Sequence, residues 1–333
     1  MIGDRGLLGA GIGLTLAVTT GFFAVQDARG GDGDAQARSA LTMIAPAAAG
    51  GGYDLAAREY QQAVRGDGIV GNVQVVNVPG AGGTIGLGQL VRFEGDATTL
   101  MVTGAAMVGG VEMGGGSARL TDVTPIARLA DDYEVIAVPT DSPWATLDDF
   151  VADWQEDPTI PIGGGSAGSV DHLVSGQLAA AAGIDPADLH YTPHAGGGEL
   201  TLSLLSEASG TVPVGVSGYN DFRDLIDGGR LRALAVVAPE RLDGVDAPTV
   251  AEEGYAGVDL VNWRGVVAPP GISDAERAEL LAITEEMFGT DSWGQAIERN
   301  RWDDSFTGPD EFADFIAGEE VRTRGLLTDL GIL

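Results

Sequence analysis

Apolar residues come in short runs along this chain, and most runs end in glycines followed by a stretch of helical period. Leu41-Thr42-Met43-Ile44-Ala45 is closed by Gly50-Gly51-Gly52-Tyr53-Asp54, and Leu55-Ala56-Ala57-Arg58-Glu59-Tyr60 follows. Val73-Gln74-Val75-Val76-Asn77-Val78 leads through Pro79-Gly80-Ala81-Gly82-Gly83-Thr84 into a helical stretch at 85–91. A third copy runs from Ile160 through Gly163-Gly164-Gly165-Ser166-Ala167-Gly168-Ser169 into 170–182. The short runs predict strands and the longer stretches helices. Glycine lets a backbone turn sharply and approach a ligand closely. The helix start behind it offers unpaired N–H groups at the positive end of a dipole, which suits an anion. Three such loops predict one cleft with several backbone walls.

The alternation continues. Leu100-Met101-Val102-Thr103 ends in Gly104-Ala105-Ala106, a further strand-to-small-residue junction, and Val135-Ile136-Ala137-Val138 before Pro139 predicts a strand leaving a first domain. From Ser142 the pattern restarts, with Thr146 capping a helix over 146–154 that carries Asp148 and Asp149 in its first turn. Strands are predicted around Leu189-His190-Tyr191, at 212–216, where Pro213 points to a sheet edge, and at 231–237 and 262–268. Helices close the chain: Ser273 with Glu276 forms a capping box, and 309–316 and 318–330 supply two more. Alternating strands and helices predict an α/β fold with parallel-rich sheets.

Composition narrows the function. A chain of 333 residues suits two domains, and 44% hydrophobic with 20% charged residues describes a globular protein. The net charge is −31 and all 18 basic residues are arginine, so the basic footprint that nucleic-acid binding needs is missing. With no cysteine, disulfides, thiolate metal sites, cysteine nucleophiles and a lipid-anchor cysteine are excluded together. Arg5 followed by an uncharged run over 6–26 predicts an export signal. The signal is either cut near Ala35-Gln36-Ala37 or kept as an uncleaved anchor on a flexible tether at 30–37. Either way the body is expected outside the cytoplasm, periplasmic or at the cell surface.

Catalytic motifs fit less well. Gly164-Gly165-Ser166-Ala167-Gly168 matches G-x-S-x-G, the nucleophile elbow of serine hydrolases. Yet the chain has three histidines, His172, His190 and His194, and none follows residue 194, which leaves too little chain to place an acid and a histidine in the usual order. Gly80-Ala81-Gly82 has Ile85 where a dinucleotide loop needs its third glycine. His190 and His194 flank Pro193, so they do not form a helical metal pair. Nothing calls for a cofactor or a metal. Trp263 and Tyr219 read as packing or cleft-wall aromatics, and Asp54 as a helix cap with Arg58 as its ion-pair partner.

The ordered series of motifs resembles the extracytoplasmic solute-binding component of tripartite tricarboxylate transporters, the family that includes the Bordetella uptake-gene proteins. It comprises Ala45-Pro46 leading into Gly50–Asp54 and Arg58, then 79–86, then Gly165-Ser166-Ala167-Gly168 with His172. It continues through 229–236, Pro248-Thr249-Val250-Ala251-Glu252-Glu253-Gly254, and Trp263-Arg264-Gly265 with Ala268-Pro269. The resemblance implies an α/β, two-lobed, periplasmic-binding-protein-like (flytrap) fold, each lobe a mixed sheet flanked by helices. Residues 1–40 would be signal or anchor and tether, 41–137 plus 262–333 the first lobe, and 138–261 the second. It implies a non-enzymatic monomer that captures a small tricarboxylate or dicarboxylate between the lobes and delivers it to membrane permease subunits. The same chemistry would serve a protein that feeds a membrane sensor. Carried over by position, the ligand-binding residues are Gly51, Gly52, Tyr53, Asp54, Ala81, Gly82, Gly83 and Thr84 from the first lobe. The second lobe contributes Ser166, Ala167, Ser169, His172, Gly196, Gly197 and Ser217. Tyr53 stands where many relatives carry a small residue, and an aromatic carboxylate would suit the site if Tyr53 stacks on it.

Overall fold

The computed structural model describes residues 33–114, 116–206 and 210–333. The chain opens with helix α1 (Gly33–Ser39), strand β1 (Ala40–Ala45), α2 (Gly52–Gly66) and β2 (Asn72–Asn77). A short 3-10 turn at Ala81–Gly83 enters α3 (Thr84–Leu90), followed by β3 (Thr99–Gly104), α4 (Ala105–Glu112) and β4 (Thr124–Asp132). Next come β5 (Glu134–Pro139), α5 (Leu147–Glu156), β6 (Ile162–Gly164), α6 (Val170–Ala181) and β7 (Tyr191–Pro193). They are followed by α7 (Gly197–Leu204), β8 (Val214–Gly218), α8 (Tyr219–Asp227) and β9 (Leu231–Val237). The chain finishes with β10 (Asn262–Ala268), α9 (Asp274–Phe288), α10 (Asp291–Asn300), β11 (Asp303–Thr307) and α11 (Pro309–Asp329).

These strands form two mixed sheets, ordered β11-β4-β10-β3-β1-β2 and β7-β6-β8-β5-β9. Within the first, β1 runs parallel to β2 and β3, while β10 is antiparallel to both β3 and β4. Within the second, β6 is parallel to β7 and β8, and β5 is antiparallel to β8 and β9. The chain passes from the first sheet to the second at Tyr133 and returns between Val237 and Asn262. The C-terminal ends of β1, β3, β6 and β8 therefore face the region between the sheets, where ligands bind in open α/β folds.

Local sequence explains most elements. Helix α2 buries Tyr53, Ala56, Ala57, Tyr60, Ala63 and Val64, the spacing of one helical face. The capping boxes at Thr146–Asp149 and Ser273–Glu276 form as expected. Three expectations are corrected. The segments 309–316 and 318–330 are one helix, because Phe312, Ile316, Glu319, Thr323 and Leu327 keep a single buried stripe across exposed Gly318. Strand β8 lies inside its sheet, not at an edge; Pro213 precedes its first residue, so no ladder hydrogen bond is lost. The expected tether is helical from Gly33, Ala37 is buried, and Arg38 bridges Glu279 and Glu286 on α9. Among the described residues no helix is long and apolar enough to cross a membrane. The apolar run at 6–26 lies outside them.

Candidate functional site

Helix α4 is where the glycine loops meet. Its sequence, Ala105-Ala106-Met107-Val108-Gly109-Gly110, is small enough for three neighbours to approach its backbone. A Cβ on Gly82 would lie 3.1 Å from the Ala106 carbonyl oxygen and 3.3 Å from Gly110 Cα. From the other sheet, the Gly168 carbonyl oxygen would lie 2.2 Å from a Cβ on Gly109, and Met113 packs on Gly168. The backbone N–H of Met107 donates to the Tyr53 hydroxyl at 2.9 Å, which ties in the Gly50–Asp54 loop. All three loops read from the sequence thus touch one short helix.

Helix starts in this fold are of two kinds, with and without a side-chain cap. Thr146, Ser273 and Thr290 each cap α5, α9 or α10 with a side-chain hydrogen bond. The residues that start α2, α4, α6, α7 and α8, namely Gly51, Gly104, Ser169, Gly196 and Gly218, make none. Met107 N–H in the first turn of α4 is taken by the Tyr53 hydroxyl and Tyr219 N–H at the start of α8 by the Tyr133 carbonyl, and the other first-turn N–H groups are left to whatever else can accept from them. Ser169 Oγ is buried and has no hydrogen-bond partner among the described residues, and Ser166 and Ala167 are exposed beside it.

The backbone between β2 and α3 is strained in the same place. Ala81, Gly82 and Gly83 take φ of +48°, +63° and +98° in succession. An alanine in this region is uncommon, and such conformations cluster where a ligand is held. The Thr84 hydroxyl donates to the Ala81 carbonyl at 2.9 Å and steadies the turn.

Several expected contact residues turn out to hold the loops. Asp54 is buried. Its Oδ2 accepts from Gly50 N–H at 2.8 Å and Arg58 Nε at 2.9 Å, and its Oδ1 accepts from Asn77 Nδ2 at 2.8 Å. Burial alone would raise its pKa, but the bonds from Arg58, Gly50 and Asn77 outweigh it and hold the carboxyl below its ordinary value. The Tyr53 side chain is buried behind α4, so it does not stack in the opening; its backbone N–H stays at the start of α2. His172 is buried, its Nδ1 accepts from Gly168 N–H at 3.0 Å, and its ring stacks on Tyr191 at 4.0 Å. Burial lowers its pKa to about 4, so it is neutral near pH 7. His194 Nδ1 lies 3.2 Å from the Gly164 carbonyl. Neither of these two buried rings is bonded to the Ser166 hydroxyl. Gly196 and Gly197 begin α7, and a Cβ on Gly197 would lie 2.3 Å from Asp221 Cγ. The Ser217 hydroxyl donates to Asp221 Oδ2 at 2.8 Å, so it is spent on that carboxylate. Among the described residues no cluster of three or more side chains could hold a metal ion.

The sequence reading did not single out the floor of this region. Arg264 on β10 is 5% exposed and lies beneath Gly52, whose Cβ would come within 2.8 Å of its Nη2. It pairs with Asp132 Oδ2 at 3.1 Å and with Asn262 Oδ1, and its Nε has no partner among the described residues. Glu134 is fully buried; Oε1 accepts from Asn262 Nδ2 at 2.7 Å, and Oε2 has no partner among the described residues. Asp171, in the first turn of α6, accepts from Gly165 N–H at 2.6 Å. Burial pushes Asp132 up to about 6, against the pull of Arg264. It pushes Asp171 up to about 7, with Asp221 adding to the rise and the Gly165 bond opposing it. Glu134 is raised well above the carboxylate range by burial and by Asp171 and Asp132, and Asp221 is raised by burial. One clue to the floor was present: an arginine inside the apolar run 262–268 has to find a buried partner.

A profile of the tripartite tricarboxylate transporter family receptor (TctC) matches residues 57–332. A UPF0065 protein from the TAR-I ttuE-ttuC' intergenic region of Agrobacterium vitis is 25% identical over 240 residues, 71% of this chain and 67% of that protein. A TctC solute-binding protein from Polaromonas, solved without ligand, superposes with a TM-score of 0.68 at 26% identity, covering 88% of this chain and 99% of that one. MatC from Rhodopseudomonas palustris, solved with bound malate, has a TM-score of 0.73 at 22% identity over 87% and 99% of the two chains. The two mixed sheets flanked by helices are the periplasmic-binding-protein fold, and the match over most of the length makes this chain a member of the tripartite tricarboxylate transporter receptor family.

Proposed function

We propose that this protein is an extracytoplasmic solute-binding protein that captures a small carboxylate between its two sheets and hands it to membrane permease subunits. One observation carries the reading: glycine loops from both sheets, each leading into a helix without a side-chain cap, meet at α4. Such N–H groups favour negative charge, typically by about 0.3–1 kcal/mol each at exposed sites and more where water is excluded. A protein with net charge −31 can still take an anion there, because surface charges are screened beyond roughly 10 Å at ordinary salt while the helix ends act at contact. The malate found in MatC is a ligand of this type. Ser166 serves as a hydroxyl donor rather than a nucleophile; His172, whose Nδ1 accepts from Gly168 N–H, carries its proton on Nε2 when neutral and is no base for it. The protein acts as a monomer and performs no chemistry on its ligand.

Thermal denaturation tests this. Succinate, malate, citrate, glucose and a phosphate ester are compared at fixed ionic strength. A ligand that binds only the folded state adds about 2.7 kcal/mol at a hundredfold excess over its Kd. Stabilisation by a carboxylate, lost when it is converted to its amide, is the expected result. A response confined to glucose or the phosphate ester would rule the reading out.

A further inference from the structure

Three helix starts at the cleft rest on charged side chains of the floor. A Cβ on Gly52, the first residue of α2, would lie 2.8 Å from Arg264 Nη2. Gly165 N–H, in the loop before α6, donates to Asp171 Oδ2 at 2.6 Å. A Cβ on Gly197, the first residue of α7, would lie 2.3 Å from Asp221 Cγ. Asp132 on β4 and Glu134 on β5 complete the floor, the first paired with Arg264 Nη2 at 3.1 Å and the second bonded to Asn262. Four carboxylates therefore share one guanidinium, next to the N–H groups that would hold an anion. The other polar groups facing them add no second arginine. They are the Tyr53 ring under the Arg264 guanidinium, Ser217 bonded to Asp221, and the Tyr191 hydroxyl bonded to the Gly165 carbonyl. His172 and His194 complete the set, their Nδ1 atoms meeting Gly168 N–H and the Gly164 carbonyl.

One oxygen of this floor lacks the hydrogen bond that buried polar atoms nearly always find. Glu134 Oε2, on a residue with no exposed surface, has no partner among the described residues. Ionised carboxylates buried beside one another repel, and an anionic ligand above them adds to the repulsion unless the charge is answered. A metal ion does not answer it: among the described residues no three side chains could hold one, and Glu134 offers a hydrated ion no exposed surface. A proton needs no such room. Asp171 is half-buried and Asp221 is exposed, which gives protons a way in from the cleft. The floor already leans this way without ligand. Burial raises Asp132 to about 6 and Asp171 to about 7, and lifts Glu134 well above the carboxylate range. His172, at about 4, is neutral throughout that range.

Resting on the carboxylate-binding reading above, we propose that this protein takes up a proton together with its ligand, and that the floor carboxyls, Asp171 first, receive it. The proton comes from solvent, and the loaded cleft then holds a neutral acid beside the ligand carboxylate instead of a second negative charge. A neutral Asp171 keeps its bond from Gly165 N–H through one oxygen and gains an O–H donor on the other. The sign of the effect follows. The loaded protein holds more protons than the empty one, so capture tightens as pH falls and weakens as pH rises. Linkage makes the coupling reciprocal: the ligand raises the proton affinity of the floor by the factor by which the proton raises the affinity for the ligand.

The test is titration calorimetry of the intact protein with malate, succinate and citrate between about pH 6.5 and pH 8.5, where small dicarboxylates stay ionised. Two buffers with different heats of ionisation are used at each pH, so that the protons taken up can be counted. The expected result is uptake of about one proton per ligand near pH 7.5 and a Kd at least about tenfold weaker at pH 8.5 than at pH 6.5. Asp171→Asn should reduce both the proton count and the pH dependence, whereas a merely structural role would weaken binding equally at every pH. Should that variant not melt as a native protein, an infrared difference spectrum of the wild type with isotope-labelled malate decides: a new protein carboxylic-acid band is expected, and its absence overturns the inference. Binding with no proton uptake and a constant Kd, or a Kd that follows sodium or calcium instead of pH, would also overturn it and leave carboxylate capture standing. So would an unchanged proton count in Asp171→Asn. If none of the three acids bound at any pH, the carboxylate reading and this inference would fall together.

Discussion

Asp54 and Asp171 hold matching positions in the two halves of the molecule. Each sits in the first turn of a helix that follows a glycine loop, and each accepts a hydrogen bond from a loop N–H, Gly50 at 2.8 Å and Gly165 at 2.6 Å. Their protonation goes opposite ways. Asp54 has its own cation, Arg58, one turn along the helix, and also Asn77; its carboxyl stays below the ordinary value. Asp171 has no arginine of its own and faces Glu134 and Asp221, and its pKa climbs to about 7. One motif therefore holds an ionised carboxylate in the first half and a carboxyl with a raised pKa in the second. A loop-holding carboxylate keeps a low pKa only where a neighbouring cation answers its charge.

The comparison can be broken most forcefully at Arg264, the cation of the floor. Arg264→Met leaves Asp132 and Glu134 buried without it, and removing one side of a buried pair costs about 3–5 kcal/mol. Urea denaturation at pH 8 should show a loss of that size, shrinking near pH 5 as the acids take up protons. An unchanged midpoint at both pH values would mean the floor is not organised by this ion pair.

Next in size is a contrast between the two loops where they meet α4. Gly82 and Gly168 both have positive φ, which costs an alanine of order 1 kcal/mol or more. At Gly82 the new methyl group also meets backbone, the Ala106 oxygen and Gly110 Cα, which cannot step aside. At Gly168 it meets the side chain of Met113, which is 38% exposed and can swing away. Gly82→Ala should therefore lower the melting temperature more than Gly168→Ala, and the reverse order would show that the second loop is the tighter one.

The dependence on pH sharpens the Asp54–Asp171 contrast directly. Asp132 and Asp171 have folded pKa values, about 6 and about 7, above the ordinary value near 3.9, so the folded state holds more protons than the unfolded one in between. That stabilisation is complete below the ordinary pKa and is lost as pH rises through about 6–7. Asp54, shifted down, contributes the other way: its stabilisation is present above the ordinary value and is lost as pH falls through its folded pKa. Melting temperature should fall between about pH 5 and pH 8 in the wild type. Asp171→Asn should flatten the fall. Asp54→Asn should lower stability at pH 8 by about 1–3 kcal/mol, the range for a hydrogen bond to a charged group, and leave the slope in place. Equal slopes in wild type and Asp171→Asn would place the sensitive group elsewhere.

Local order along the chain was enough for a good part of this protein. Glycine runs after apolar runs located the loops at Gly50–Asp54, Gly80–Thr84 and Gly163–Ser169, because backbone freedom is a property of the residue itself. Caps at Thr146 and Ser273 were legible for a similar reason: the hydroxyl bonds to an N–H three residues on. The polar edge strand β11, Asp-Asp-Ser-Phe-Thr, was missed because it lacks an apolar alternation and forms by pairing with β4. Only the tertiary structure decided that α4 would join the loops and that Asp132, Glu134, Asp171, Asp221 and Arg264 would share one floor. Those side chains are separated by up to 132 residues, the gap between Asp132 and Arg264. The fields that set their charges depend on distance in space and on excluded water, which no local pattern of residues records.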